Sequence, residues 1–282
     1  MKRENLLEDS SRLTVHIQEV LQERSMGKSL FPKGVFESAG ASAVLFPLSW
    51  KCPNSRSNNN PCLVLNKRSQ MVKQPGDLCF PGGAISHGLD AKLAQFMRLP
   101  FFPLSRWPYW QKWQKERPRQ ARRLALLFAT SMRESFEEMA LNPLGVQFLG
   151  PLPPQRLVMF KREIFPFVGW IRNQGRFFIN REVEKIVHIP LKELLNIDNY
   201  ARYKLLFNVP KGPVESGAFQ YFPCFLHRTM MGTDVLWGAT YRIIMIFLEL
   251  IFGFKEPEMG GLEVVDGVID EKYYRNGSQT RP

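Results

Sequence analysis

The sequence predicts an α/β sandwich built on a mixed β-sheet. Three observations carry this. Short apolar runs of strand length recur along the chain and are separated by segments of helical period. A helix-length apolar segment, 239–254, lies far downstream of an amphipathic segment, 125–139, so helices flank the strands in sequence on both sides. Of the 282 residues, 44% are hydrophobic and 12% aromatic, which is enough to bury a core and excludes a disordered chain.

In order, residues 4–24 read as an amphipathic helix carrying Leu6, Leu7, Leu13, Val15, Ile17, Val20 and Leu21. Ala43 to Leu48 reads as a strand. Ser55 to Pro61 is a polar turn run. Cys62 to Arg68 is a second strand, apolar enough at its start to be buried on both faces. Gly76 to Phe80 leads into a third. Asn142-Pro143-Leu144-Gly145 stops the acidic helix considered below. Val146 to Leu149, Phe165 to Ile171 and Val183 to His188 are further strands. Pro190 to Leu195 is a short helix with a proline start. Tyr203 to Phe207 and Phe219 to Phe225 form a late hairpin. Ala239 to Phe254 is a packed helix, because it is short for a bilayer and Arg242 and Glu249 interrupt it. Residues 257–282 read as a polar, frayed tail. The expected divisions are a helical extension at 1–38, a central domain at 39–256 and that tail.

Composition narrows the class further. No apolar run follows Met1-Lys2-Arg3-Glu4-Asn5, so a secretory signal is not expected. Cys52, Cys62, Cys79 and Cys224 lack metal-ligand spacing, and reduced thiols in a cytoplasmic protein are the expectation. The net charge is +12. Arg98 to Arg123 alone holds eight Lys/Arg against one Glu, with Trp107, Tyr109, Trp110 and Trp113 interleaved. Such a segment is either a flap whose aromatics pack on the domain beside the active site, or a phosphate- and base-gripping surface that takes nucleic acid. Packing is the favoured reading. A lid that sets substrate choice is the corresponding expectation.

The chemistry centres on Arg133-Glu134-Ser135-Phe136-Glu137-Glu138. Glu134, Glu137 and Glu138 stand at i, i+3 and i+4, on one narrow helix face. Like charges that close repel each other. Either a hard divalent cation draws them together or they form a solvated acidic face, and the helix alone leaves both open. Ala125, Phe128, Ala129, Met132, Phe136 and Met139 are expected on the packed face. Arg133 lies about 100° from Glu134, close enough to pair with a carboxylate and hold its rotamer. Upstream, Leu78-Cys79-Phe80-Pro81-Gly82-Gly83 reads as a short strand entering a double-glycine turn that lets backbone approach a ligand. Of Lys67 and Arg68, adjacent on a strand, only one points inward.

Phe80-Pro81-Gly82-Gly83 followed by Arg133-Glu134-x-x-Glu137-Glu138 resembles the signature of the Nudix hydrolase family. That signature runs Gly, five residues, Glu, seven residues, then Arg-Glu-apolar-x-Glu-Glu-x-Gly-apolar. The resemblance covers roughly residues 40–255. Gly83 and Arg133 are 50 positions apart, so about 36 residues, near 86–121, are additional to the pattern. Leu89 stands at the position of the first motif glutamate, with Asp90 beside it. Ser135 and Ala140 replace the apolar residue and the glycine. Gly76, Phe80, Pro81, Gly82 and Gly83 also match the coenzyme A diphosphatase subgroup, whose Thr, Arg, Ser and second Arg are here Leu65, Lys67, Arg68 and Val72. Trp237-Gly238-Ala239-Thr240 is similar to that subgroup as well.

The resemblance implies a Nudix-type α/β/α sandwich and a Mg²⁺-dependent diphosphatase, with Mn²⁺ as a substitute. Its substrate would be a nucleotide diphosphate such as coenzyme A or a derivative. Glu137 and Glu138 would ligate the metal, with Glu134 as third ligand or base and the Gly83 carbonyl as a further ligand. Lys67, the position of the subgroup's arginine, or Arg68 would meet phosphate. Gly82 and Phe80 would lie against the substrate. The alternative is a binding protein on the same scaffold without turnover.

Overall fold

The computed structural model describes residues 6–26, 30–31, 41–50, 52, 60–157, 162–208 and 217–274. Most of the expected turn at 55–61 and the end of the tail lie outside these residues. The chain is a mixed α/β structure with two sheets among the described residues.

Helix α1 (Ser10–Met26) precedes strands β1 (Ala41–Ser49) and β2 (Cys62–Arg68). Then come β3 (Leu78–Cys79), β4 (Gly82–Ala84) and helices α2 (His87–Phe96), α3 (Trp110–Glu116) and α4 (Pro118–Met139). Strands β5 (Val146–Pro151), β6 (Gln155–Leu157), β7 (Arg162–Ile171) and β8 (Val183–Pro190) lead to α5 (Leu191–Leu194). The chain continues through β9 (Tyr200–Phe207), β10 (Phe219–Thr229) and β11 (Gly232–Trp237) to α6 (Gly238–Phe252), β12 (Val264–Ile269) and α7 (Glu271–Tyr274).

The larger sheet runs β3-β2-β1-β7-β5, with β4 on β1, β6 on β7 and β8 on β2. Strand β1 is parallel to β7 and antiparallel to β2 and β4, so the sheet is mixed. The smaller sheet runs β11-β10-β9-β12, and β12 is parallel to β9.

Strand alternation divides the core. Val44, Phe46, Leu48, Leu63 and Leu65 pack on one face with α1 and α6 residues such as Leu21, Phe247 and Ile251. Ala43, Leu45, Cys62 and Val64 pack on the other with α4 residues Ala125, Phe128 and Met132. Burial on both faces is why β1 and β2 are nearly continuous apolar runs.

Three expectations are corrected. Phe136 is 58% exposed, not packed; Ser135, one residue earlier, is fully buried in its place. The segment 257–274 is no frayed tail, because Val264–Ile269 forms a strand, β12, that pairs with β9 on the edge of the smaller sheet and buries Ile269. The additional segment is no lid either. Trp107, Trp110 and Trp113 are at most 4% exposed and join Phe148 and Phe128 in the core. Trp107 meets Phe148 edge-on at 5.0 Å between ring centroids, and Trp113 Nε1 donates to Gln22 Oε1 of α1 at 2.9 Å. Their apolar area outweighs any use at the surface, and no base can stack on them. The later part of the segment simply extends α4 toward its N-terminus, with Pro118 in the first turn. Trp113→Ala is therefore expected to cost about 3–5 kcal/mol of stability in urea unfolding, not to alter substrate ranking.

Candidate active site

The site forms where α4 crosses β4 and the end of β2. Helix α4 is 22 residues long and amphipathic. It ends with Ala140 in the left-handed region at φ 51°, where Ala140 N–H donates to Phe136 O and Leu141 N–H to Ser135 O. Glycine takes this left-handed cap position without strain.

Arg133 organises the acidic face. Its Nε donates to Asp90 Oδ1 at 2.7 Å, Nη1 to Glu137 Oε2 at 3.0 Å and Nη2 to the Ala84 carbonyl at 3.1 Å. Nη2 also lies 2.9 Å from Glu134 Oε1. One planar fork thus ties three carboxylates to β4. Burial opposes the cation, but the Asp90 hydrogen bond and the charges of Glu134, Asp90 and Glu137 hold its pKa above the ordinary value.

Asp90 is the residue that sequence reasoning set aside. It is fully buried and accepts from Ser86 N at 2.7 Å and from Thr130 Oγ1 at 2.8 Å, besides Arg133. It sits in the first turn of α2, one position past the spacing of the motif glutamate. The signal was the residue beside Leu89, and α2 rotates it to face Arg133.

Glu138 and Glu134 have the most strained electrostatics. Glu138 accepts from Asn66 Nδ2 at 2.6 Å and from the Gly82 backbone N–H. Burial and then the charge of Glu134 nevertheless push its pKa up to about 8. Glu134 is raised by burial and by Glu137 and Asp90, against the pull of Arg133. The Asn66 Oδ1 atom is buried without a hydrogen-bond partner among the described residues. Two desolvated carboxylates that repel, beside an unpartnered amide oxygen, are a donor set that a hard cation would satisfy. As the side chains stand, no group of three or more His, Cys, Asp or Glu among the described residues is gathered for a metal. Glu137 explains part of this, since it turns outward to Arg133 and its side chain is 48% exposed.

The glycine turn brings backbone to these carboxylates. A Cβ on Gly83 would lie 2.5 Å from Glu134 Oε1, and one on Gly82 would collide with the Ala43 carbonyl and Val44. Gly83→Ala is therefore expected to keep the fold and displace Glu134. We expect a loss of kcat of about tenfold to a hundredfold, measured in steady state, and an unchanged kcat would contradict that placement.

Lys67 is not the inward cation. Even-numbered β2 residues face α4, as Cys62, Val64 and Asn66 show. Lys67 therefore points the other way, to Asp234 at 3.0 Å and Glu184 at 3.5 Å. Arg68 donates to the Lys73 carbonyl at 2.6 Å, acts on Glu138 as a favourable charge and lines an adjacent cavity. That cavity, about 440 Å³, is also lined by Gly82 and Gly83. Phe80 also lines it, while its ring packs on Phe46 at 4.9 Å.

No protein-family model matches the chain. Among curated proteins, it is 29% identical over 160 residues to NudL of Enterobacter sp. (strain 638), an uncharacterized Nudix hydrolase, covering 56% of this chain and 61% of that protein. It is 30% identical over 142 residues to NudL of Pectobacterium atrosepticum, covering 50% and 55% respectively. The chain thus spans a little over half the length of the curated relatives it matches. Two solved structures are similar at low level. A Nudix hydrolase from Nitrosomonas europaea has a TM-score of 0.38 at 11% identity, covering 82% of this chain and 78% of that one. RenU from M. smegmatis has a TM-score of 0.34 at 12% identity, covering 55% and 73%. Those scores are too low to weigh here. Over the segment it shares with them, the chain is similar to proteins named as Nudix hydrolases.

Proposed function

We propose that the chain is a divalent-cation-dependent hydrolase that cleaves a diphosphate linkage in a nucleotide-type substrate. The observation that carries this is the Glu134–Glu138 pair, half-buried, mutually repelling and set against the bare backbone of Gly82-Gly83. Glu138 and Glu134 would hold the cation, which is Mg²⁺ with Mn²⁺ as a substitute; Glu137 would be a secondary ligand and the Gly83 carbonyl a further one. When bound, such a cation neutralises phosphate charge and supplies an activated water.

The protein's own groups do the rest. Arg133 holds Glu134 and Glu137, and Asp90 holds Arg133. Asn66 and the Gly82 N–H orient Glu138. Arg68 supplies positive charge at the cavity for a phosphate. The occupied Arg133–Asp90 pair favours turnover over a silent binding scaffold, because the replaced glutamate has a working substitute. Gly76 and Phe80 to Gly83 support coenzyme A and its derivatives as the first substrates to try. Nucleic-acid binding loses its support with the tryptophans buried.

The test is a hydrolysis screen with and without Mg²⁺. It covers coenzyme A, its thioesters, nucleotide sugars, dinucleoside polyphosphates and nucleoside triphosphates, with product identification. Metal-dependent release of two monophosphates from a diphosphate-linked compound is expected. Binding without turnover of any of them would favour the scaffold reading.

A further inference from the structure

The cavity beside the glycine turn has a wall that comes from the C-terminal segment. Strand β12 lies parallel on β9, and α7 then places Tyr273 in the cavity lining. Tyr273 is anchored twice. Its ring packs with Leu205, Phe207 and Ile269 on the smaller sheet. Its hydroxyl donates to Asp77 Oδ2 at 2.6 Å. Asp77 also accepts from Trp237 Nε1 at 3.1 Å. One buried carboxylate thereby joins the turn before β3, the start of α6 and the C-terminal helix. Phe222 and Tyr273 flank Trp237 at 5.6 and 6.3 Å between ring centroids. All three rings line the cavity, whose volume of about 440 Å³ lies in the range of small-molecule sites.

We infer that this aromatic-lined cavity, a slot with Tyr273 in its wall, selects substrates by taking a flat ring at the end of the molecule away from the diphosphate. The inference rests on the hydrolase reading above. The geometry is directional: Gly82 and Gly83 line the cavity and also approach Glu138 and Glu134, and Arg68 lines the same cavity. A base in the slot would leave its diphosphate running past Arg68 to the carboxylates. Aromatic faces accept any base by stacking, so ring shape is what the slot reads. Tyr273 is a specificity-determining residue on this view, and Asp77 is a positioning residue that keeps it there.

The test compares diadenosine diphosphate, which has a base at each end, with dimethyl diphosphate, which has none. Tyr273→Ala is expected to raise KM for the first about ten- to a hundredfold, with kcat nearly unchanged. It is expected to change KM for the second by less than about twofold. Tyr273→Phe keeps the ring and its packing and loses only the bond to Asp77. It should give a smaller KM increase on the first compound, and it serves as the measure if Tyr273→Ala does not fold. Equal KM changes on both compounds, or unchanged KM in a folded Tyr273→Phe and Tyr273→Ala pair, would overturn the slot. Absence of hydrolysis of both by the wild type would instead overturn the hydrolase reading, and adenosine monophosphate binding by calorimetry would then decide the slot separately: loss of binding in the variants sustains it, and equal binding overturns it.

Discussion

Replacing Glu138 with Gln is expected to lower kcat on the order of a hundredfold or more while leaving the protein folded. The substitution keeps the side chain's shape and its contact with Asn66 but removes the charge a cation would need. It carries a second, independent signature. An ordinary glutamate ionises near 4.5, whereas burial and the neighbouring Glu134 charge move Glu138 to about 8. A folded-state pKa raised above the unfolded value contributes stability that is fully present below the unfolded pKa. That contribution is lost as pH rises through the folded pKa. For Glu138 the window therefore runs from about pH 4.5 to about pH 8. Metal-free wild type should lose melting temperature across this window faster than Glu138→Gln, by at least about 3 °C over the range. A variant with wild-type turnover and a wild-type slope would contradict both parts.

Asp90→Ala is expected to destabilise the protein about as much as Trp113→Ala. Asp90 is fully buried, and the Arg133 side chain is only 10% exposed. Removing the buried partner of such a pair, leaving Arg133 only Glu134 and Glu137, costs about 3–5 kcal/mol. The loss would appear as a fall of about 10 °C in melting temperature. Catalysis should fall as well, because Arg133 then has no anchor while it holds Glu134 and Glu137. Arg133→Lys should not rescue the site, since a compact ammonium cannot serve Asp90, the Ala84 carbonyl and two glutamates in one plane. In that variant kcat should drop more than KM rises, as expected of a group that positions others. A pure KM effect would make Arg133 a substrate contact instead.

Much of this was legible in the sequence where one residue type answers one local demand. The apolar run of β2 reads directly as a strand buried on both faces, and its bounds, Cys62 and Arg68, are those observed. The carboxylates at helical spacing, with Arg133 beside them, read as one face, and Arg133 does bridge Glu134 and Glu137. The double glycine reads as a close backbone approach, and Glu134 is what it approaches.

The remainder depends on long-range geometry. Asp90 acts only because α2 folds back on α4 through a segment that the motif spacing does not describe. Lys67 and Arg68 are separated by a register shift in the β2–β8 pairing, which strand alternation read from the sequence does not describe. The basic aromatic segment has the composition of a binding surface, but its tryptophans find more apolar area in the core around Phe148. Strand β12 lies within a segment whose overall composition reads as polar tail, and it orders on the edge of β9. Asp77, Trp237 and Tyr273 are 160 to 196 positions apart in their hydrogen bonds, a juxtaposition beyond local patterning.

The most direct test of the central claim, that Glu134 and Glu138 hold a divalent cation, is Mn²⁺ binding followed by electron paramagnetic resonance at pH 8. Wild type should bind the ion at this site, Glu138→Gln and Glu134→Gln should each weaken that binding at least about tenfold, and Glu137→Gln should weaken it less. Equal Mn²⁺ affinity in wild type and in both the Glu134 and Glu138 variants would contradict it.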